Sequence, residues 1–245
     1  MNRLGFAVLG VAWSVALSAP AGAQAKEREW HGELAYGQWS YDASGTVRDT
    51  TEQLSFSDLG RVDEDEGYLR LGVSFPHRWM PDILLERQAV DAGATAESGG
   101  FLVIPGSSGV ASAEFDITAL SVTLPLIEDG VRLGLGVLVE NIDGLVRRQE
   151  DGELAQSDRY DEIYPLALLR LDVAPFGPIT LRVETAYVAS GDDRAIHLRG
   201  SLLWPVIQPL GLELGLQSRR YRFTTSNYAV DAEFKGGYMG LLLKF

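Results

Sequence analysis

The chain has 245 residues, 46% of them hydrophobic, no cysteine, a mean hydropathy of +0.00 and a formal net charge of −13. This excludes a disulfide framework and argues against a nucleic-acid partner, which needs clustered Lys and Arg. Beyond the N-terminus no apolar run is long enough for a membrane helix, and a neutral mean hydropathy suits a barrel with an apolar exterior and a polar lumen.

Taken in order, the chain begins with an export signal. Arg3 precedes an apolar run from Leu4 to Leu17, and Ala21-Gly22-Ala23 or Ala23-Gln24-Ala25 supplies a small-residue cleavage site. The pattern predicts a cleavable signal peptide over residues 1–23 and a single domain over residues 24–245.

Alternating segments follow at roughly His31–Tyr41, Gly67–Phe75, Asp82–Val90, Ala113–Leu124, Val131–Glu140, Asp161–Val173, Ile179–Val188, Arg194–Trp204, Leu210–Phe223 and Tyr228–Phe245. Most have the length of a tilted membrane-spanning strand. Short turns marked by Pro76 and Pro81, Pro125, Pro175 and Pro178, and Pro205 and Pro209 close one end of the series, because proline cannot donate to a ladder. Polar stretches, several of them long, close the other end, at Ala43–Glu66, Asp91–Gly109, Asn141–Tyr160, Ser190–Asp193 and Thr225–Asn227. Short turns at one end and longer loops at the other mark an outer-membrane barrel.

Alternation is cleanest where Val131, Leu133, Leu135, Val137 and Val139 oppose Arg132, Gly134, Gly136 and Glu140, and where Leu210, Leu212, Leu214 and Leu216 oppose Gly211, Glu213, Gly215 and Gln217. Charges fall mid-strand while apolar faces run unbroken, so lipid lies outside and a polar lumen within. A two-residue turn at Gly191-Asp192 pairs Ser190 with Asp193, Ala186 with His197, Glu184 with Arg199 and Arg182 with Ser201. It also sets Tyr187 beside Ile196 and Leu181 beside Leu202 on the lipid face. A one-residue slip would drive charges into lipid. Pro165 calls for a bulge or for the extracellular end of its strand. Phe115 and Ile117, out of phase with Leu120, Val122 and Leu124, also suggest a bulge. Trp39 and Tyr36 fall on opposite faces and leave the first strand unoriented.

In the last strand Leu243, Leu241, Met239 and Gly237 share one face and the chain ends on Phe245. This resembles the closing strand of a bacterial outer-membrane barrel, whose terminal aromatic is read by the assembly machinery. The segment Tyr68–Pro76, continuing through Trp79-Met80-Pro81-Asp82-Ile83, is similar to a family of small, largely uncharacterised proteobacterial outer-membrane barrel proteins. That resemblance implies a location and a fold but no catalytic residues. The fold class expected is all-β, a transmembrane antiparallel up-and-down barrel of about ten strands.

Ten strands enclose a lumen little wider than the eight-stranded barrels that side chains fill. The inward faces supply Arg70, Glu86, Arg132, Glu140, Arg170 and Asp172, and then Arg182, Glu184, His197, Arg199 and Glu213. Mixed charges in a narrow space pair across strands and plug it, giving an ion network in place of a hydrophobic core. The expected role is therefore an envelope protein of structural or interaction type with a largely closed lumen; the alternative is a narrow, porin-like passage for ions or small solutes. A rim-located outer-membrane protease is less favoured. Asp193 shares a face with His197 but lies about 13 Å away at ~3.4 Å per residue, too far to orient it, which leaves Glu184 as its carboxylate neighbour. No lipase-type grouping of Ser and His appears. The first loop gathers Asp49, Glu52, Asp58 and the run Asp63-Glu64-Asp65-Glu66 without a calcium-loop spacing, which reads as a solvated loop. Neither metal nor cofactor is assigned. Partners expected are outer-membrane lipids, lipopolysaccharide and the barrel-assembly machinery; no oligomeric state follows.

Overall fold

The computed structural model describes residues 30–49, 53–55, 64–77, 79–93, 102–103, 109–127, 131–150, 153–176, 178–224 and 228–245. The predicted signal peptide and the loop acids Glu52, Asp58 and Asp63 lie outside the described residues. Alternation of apolar and polar side chains, punctuated by proline, yields strands throughout. They are β1 (His31–Asp49), the short β2 (Gln53–Ser55), β3 (Glu64–Ser74), β4 (Asp82–Gly93), the short β5 (Leu102–Val103) and β6 (Gly109–Ile127). After these come β7 (Val131–Glu150), β8 (Glu153–Phe176), β9 (Ile179–Ser190), β10 (Asp193–Ile207), β11 (Leu210–Thr224) and β12 (Tyr228–Lys244).

The ten long strands form a closed antiparallel up-and-down barrel. Each pairs with its neighbour in sequence, and β12 returns to β1 in an unbroken register from Glu33↔Lys244 to Asp49↔Tyr228. The seam extends to the last residue: the Gly32 N–H donates to the Phe245 carbonyl at 2.6 Å, and the Phe245 N–H to the Gly32 carbonyl at 3.0 Å. The β9–β10 hairpin has the predicted register, with Ser190↔Asp193, Glu184↔Arg199 and Leu181↔Leu202. Gly191 turns it at φ +65°, a conformation that needs no side chain there. At the proline turns the ladder shifts register between Pro125 and Ile127, between Val173 and Phe176 and between Pro205 and Ile207. The missing N–H groups are thus absorbed in bulges at strand ends.

Inside–outside polarity inverts along the barrel. Near the proline turns the outer face is apolar, with Leu241 and Met239 on β12 and Leu120 and Val122 on β6 exposed, and the inner face carries the charges. Further along the same strands the outer positions become Lys235, Glu233 and Asp231 on β12 and Asp116 and Glu114 on β6. There the inner positions become Phe234, Ala232 and Val230, and Ile117 and Phe115, all buried. The lower part has the surface a bilayer covers, and the upper part follows the rule of a water-soluble domain.

The inversion corrects several expectations. No bulge accompanies Phe115 and Ile117: pairing runs unbroken from Phe115↔Val90 to Leu120↔Leu85, and the change of phase is the change of solvent. The stretch Asn141–Tyr160, read as a loop from its polarity, is largely the upper part of β7 and β8, paired from Asn141↔Ile163 to Glu150↔Glu153. Ala43–Asp49 likewise belongs to β1. Pro165 pairs with Val139 without a bulge and lies beyond Ala167↔Tyr187, where the β8–β9 ladder ends. In β1, Trp39 is buried inside and Tyr36 is exposed outside.

Candidate functional site: a charged lumen beneath an aromatic layer

Period-two alternation on narrow, tilted strands sends one side chain in two into a lumen where opposite walls are in reach. The charges there form one connected series. Arg182 donates to Asp172 at 3.0 Å and to Glu33 at 3.1 Å, and Glu33 lies 3.8 Å from the Arg70 guanidinium. Arg70 grips Glu213 with two hydrogen bonds of 2.7 and 2.5 Å. Arg199 lies 3.5 Å from Glu213 and donates to Glu86, which also accepts from Arg219 at 2.5 Å. Arg219 reaches Glu140 at 3.4 Å, and Glu140 takes His197 Nδ1 at 2.9 Å and the Tyr221 hydroxyl at 2.9 Å. Arg170–Glu184 at 2.6 Å and Arg132–Asp82 flank this series.

Neutral groups complete the shell. Arg199 Nε donates to the Tyr238 hydroxyl at 2.7 Å and its guanidinium stacks 4.4 Å from that ring. Gly215 makes the tyrosine possible, since a Cβ there would come within 2.3 Å of Tyr238 Cζ. Gln217 donates to Gln88 at 3.1 Å across the lumen. An enclosed carboxylate or guanidinium is costly unless paired and hydrogen-bonded, and this arrangement meets most of that demand from opposite walls. A cavity of about 20 Å³ beside Glu86, Glu184, His197 and Arg199 is the size of one water molecule.

Above the charges lies an aromatic layer. Tyr41 and Phe115 each pack on Phe234, at ring centroid distances of 6.4 and 5.8 Å. Tyr221 packs on Phe234 at 6.4 Å and on Tyr164 at 6.1 Å. These rings come from β1, β6, β8, β11 and β12, so the layer spans the lumen from wall to wall. Higher still, on the outer face, a hydrogen bond from Arg159 to Asp143 at 2.7 Å, aided by its charge, raises the guanidinium above its ordinary value.

No protein-family model matches the chain, and no curated protein matches it in sequence. Solved structures do match in shape. The outer membrane protease OmpT from Escherichia coli is 11% identical, with a TM-score of 0.52 over 92% of this chain and 99% of that one. Ail, the attachment invasion locus protein of Yersinia pestis, is 10% identical, with a TM-score of 0.39 over 89% of this chain and 99% of that one. The fold is that of the outer-membrane β-barrels. Identities this low carry fold and nothing of activity.

All the candidate lumen residues from Arg70 to Glu213 face inward, but their partners differ from those that sequence neighbours suggest. Glu184 sits beside Arg199 in register yet pairs with Arg170 of β8, while Arg199 crosses to Glu86 of β4. The carboxylate beside His197 is Glu140 of β7, not Glu184. Sequence reasoning missed Arg219, Glu33 and Asp82. Arg219 continues the phase of Glu213 and Gln217, a signal masked by the polar run Ser218-Arg219-Arg220. Phe245 lies in the seam, its ring exposed and 6.1 Å from Trp30. Among the described residues no cluster of His, Asp and Glu is arranged to hold a metal ion.

Proposed function

We propose that the protein is an integral bacterial outer-membrane protein with a closed lumen, and that its role is structural or interactive, neither transport nor catalysis. The observation that carries this reading is the double obstruction of the lumen: the Arg70–Glu213 series below and the aromatic layer around Phe234 above. Either layer spans the interior, so a solute would have to break buried ion pairs and displace packed rings in succession. His197 and Glu140 are 6% and 0% exposed, which leaves this acid–base pair without access to a substrate. The apolar outer face supports a membrane setting, with the proline turns in the periplasm and the upper barrel projecting from the cell. Bilayer lipid, lipopolysaccharide and the machinery that reads the strand ending in Phe245 are the partners of that setting.

Conductance of the refolded protein in a planar lipid bilayer tests the reading. A folded barrel that stays silent is the expected result. Reproducible unit steps that change when Arg199 or Glu86 is neutralised would replace it with a narrow channel.

A further inference from the structure

On the outer face just above the apolar belt, three arginines are held by carboxylates. Arg87 meets Asp116 at 2.5 Å, Arg159 meets Asp143 at 2.7 Å and Arg220 meets Asp231 at 3.3 Å. One place departs from this. Arg194 of β10 and Arg222 of β11 are direct cross-strand neighbours, both exposed and both outward. Like charges set directly opposite each other on a sheet are destabilising. Asp231, the β12 neighbour of Arg222, is engaged by Arg220, and Asp193 accepts the Thr224 N–H at 2.9 Å. Glu233 is approached by Ser218 at 3.4 Å. Neither Arg194 nor Arg222 forms an ion pair with a described residue. With Arg220 two residues along β11 on the same face, they make a cationic patch on a chain whose net charge is −13.

Depth identifies what such a patch meets. On β10 the outward residues run from Trp204 through Leu202, Leu198 and Ile196 to Arg194, and Tyr187 lies beside Ile196. Aromatic residues at the two ends of an apolar stretch mark membrane interfaces. The ten steps from Trp204 to Arg194, at ~3.4 Å each and a tilt of about 40°, rise about 26 Å, against a band about 25 Å tall. Arg194 and Arg222 therefore lie at headgroup height, immediately outside the hydrocarbon.

We propose that Arg194 and Arg222 form a binding site for the phosphate monoester of an anionic lipid headgroup in the outer leaflet. Planar guanidinium groups on adjacent strands present converging donors to a phosphate, which accepts bidentate bonds and removes the repulsion between them. The inference rests on the outer-membrane reading above.

The test uses the full-length mature barrel refolded into phosphatidylcholine vesicles, with and without a minor fraction of phosphatidic acid. Its unfolding midpoint is followed by the loss of the compact form on unheated gels. Phosphatidic acid is expected to raise the midpoint of the parent. In Arg194→Gln/Arg222→Gln that increment is lost, while the midpoint in pure phosphatidylcholine is unchanged or higher because a repulsive pair has gone. An increment that survives in the double variant overturns the site. So does one that inorganic phosphate reproduces in phosphatidylcholine alone, since the ligand is then a free anion. A parent that folds with no increment at all overturns the site but leaves the barrel reading standing. A chain that forms no heat-modifiable barrel in either vesicle overturns both.

Discussion

Arg70 and Glu213 hold one another across the lumen with two hydrogen bonds, and neither side chain has any exposed surface. Truncating one member of such a pair strands the other charge, at a cost of about 3–5 kcal/mol. Glu213→Leu and Arg70→Met are each expected to lose about that much in urea unfolding from vesicles. The double variant should recover a large part of it, because two apolar side chains leave no orphan charge. Additive losses would mean that the pair is not a unit.

Arg199 distinguishes contact across the lumen from adjacency along the sheet. A double-mutant cycle of Arg199→Ala with Glu86→Ala is expected to show a coupling of about 0.5–3 kcal/mol. The cycle with Glu184→Ala should show less, although Glu184 is the residue directly beside it in register. The reverse ranking would place Arg199 on the wrong partner.

The two obstructing layers predict a conductance phenotype that no single change reveals. Phe234→Ala removes the ring on which Tyr41, Phe115 and Tyr221 converge, and should cost about 3–5 kcal/mol without producing current. Current is expected only when the charged layer is opened as well, as in Phe234→Ala/Arg199→Ala/Arg70→Ala. Steps from the Phe234 variant alone would show that the aromatic layer is the sole barrier.

Val183 and Ile163 are both exposed apolar residues on outward faces, at 52% and 64%. Val183 lies within the apolar belt and Ile163 above it. Val183→Arg should destabilise the folded barrel by about 2–4 kcal/mol, whereas Ile163→Arg should leave its unfolding midpoint nearly unchanged. Equal effects would contradict the position assigned to the membrane.

What was legible in the sequence follows from the range of each interaction. The β9–β10 register could be derived because Gly191 fixes the turn and alternation fixes the face, both over a few residues. The partner of Arg199 could not, because reaching Glu86 depends on the diameter of a closed barrel, to which every strand contributes. Phe115 and Ile117 suggest a bulge for another reason. A single inside–outside rule along the whole strand puts them out of phase, while the solvent outside it changes from lipid to water near Thr118. The same assumption turned the upper β7–β8 hairpin into a loop and hid Arg219 in a polar run. The role of Tyr238 was also out of reach, since it rests on room left by Gly215 on a neighbouring strand.

The joint between Gly32 and Phe245 sets an order of events. The residues it unites stand almost the full length of the chain apart, so closure bears the largest loop entropy in the molecule and comes after the hairpins. Until then β1 and β12 are raw sheet edges, open to pairing with any other strand. A nascent chain is therefore most vulnerable to aggregation when all its hairpins have formed and only the cylinder is incomplete. Assistance at that single moment would protect it more than assistance at any earlier one.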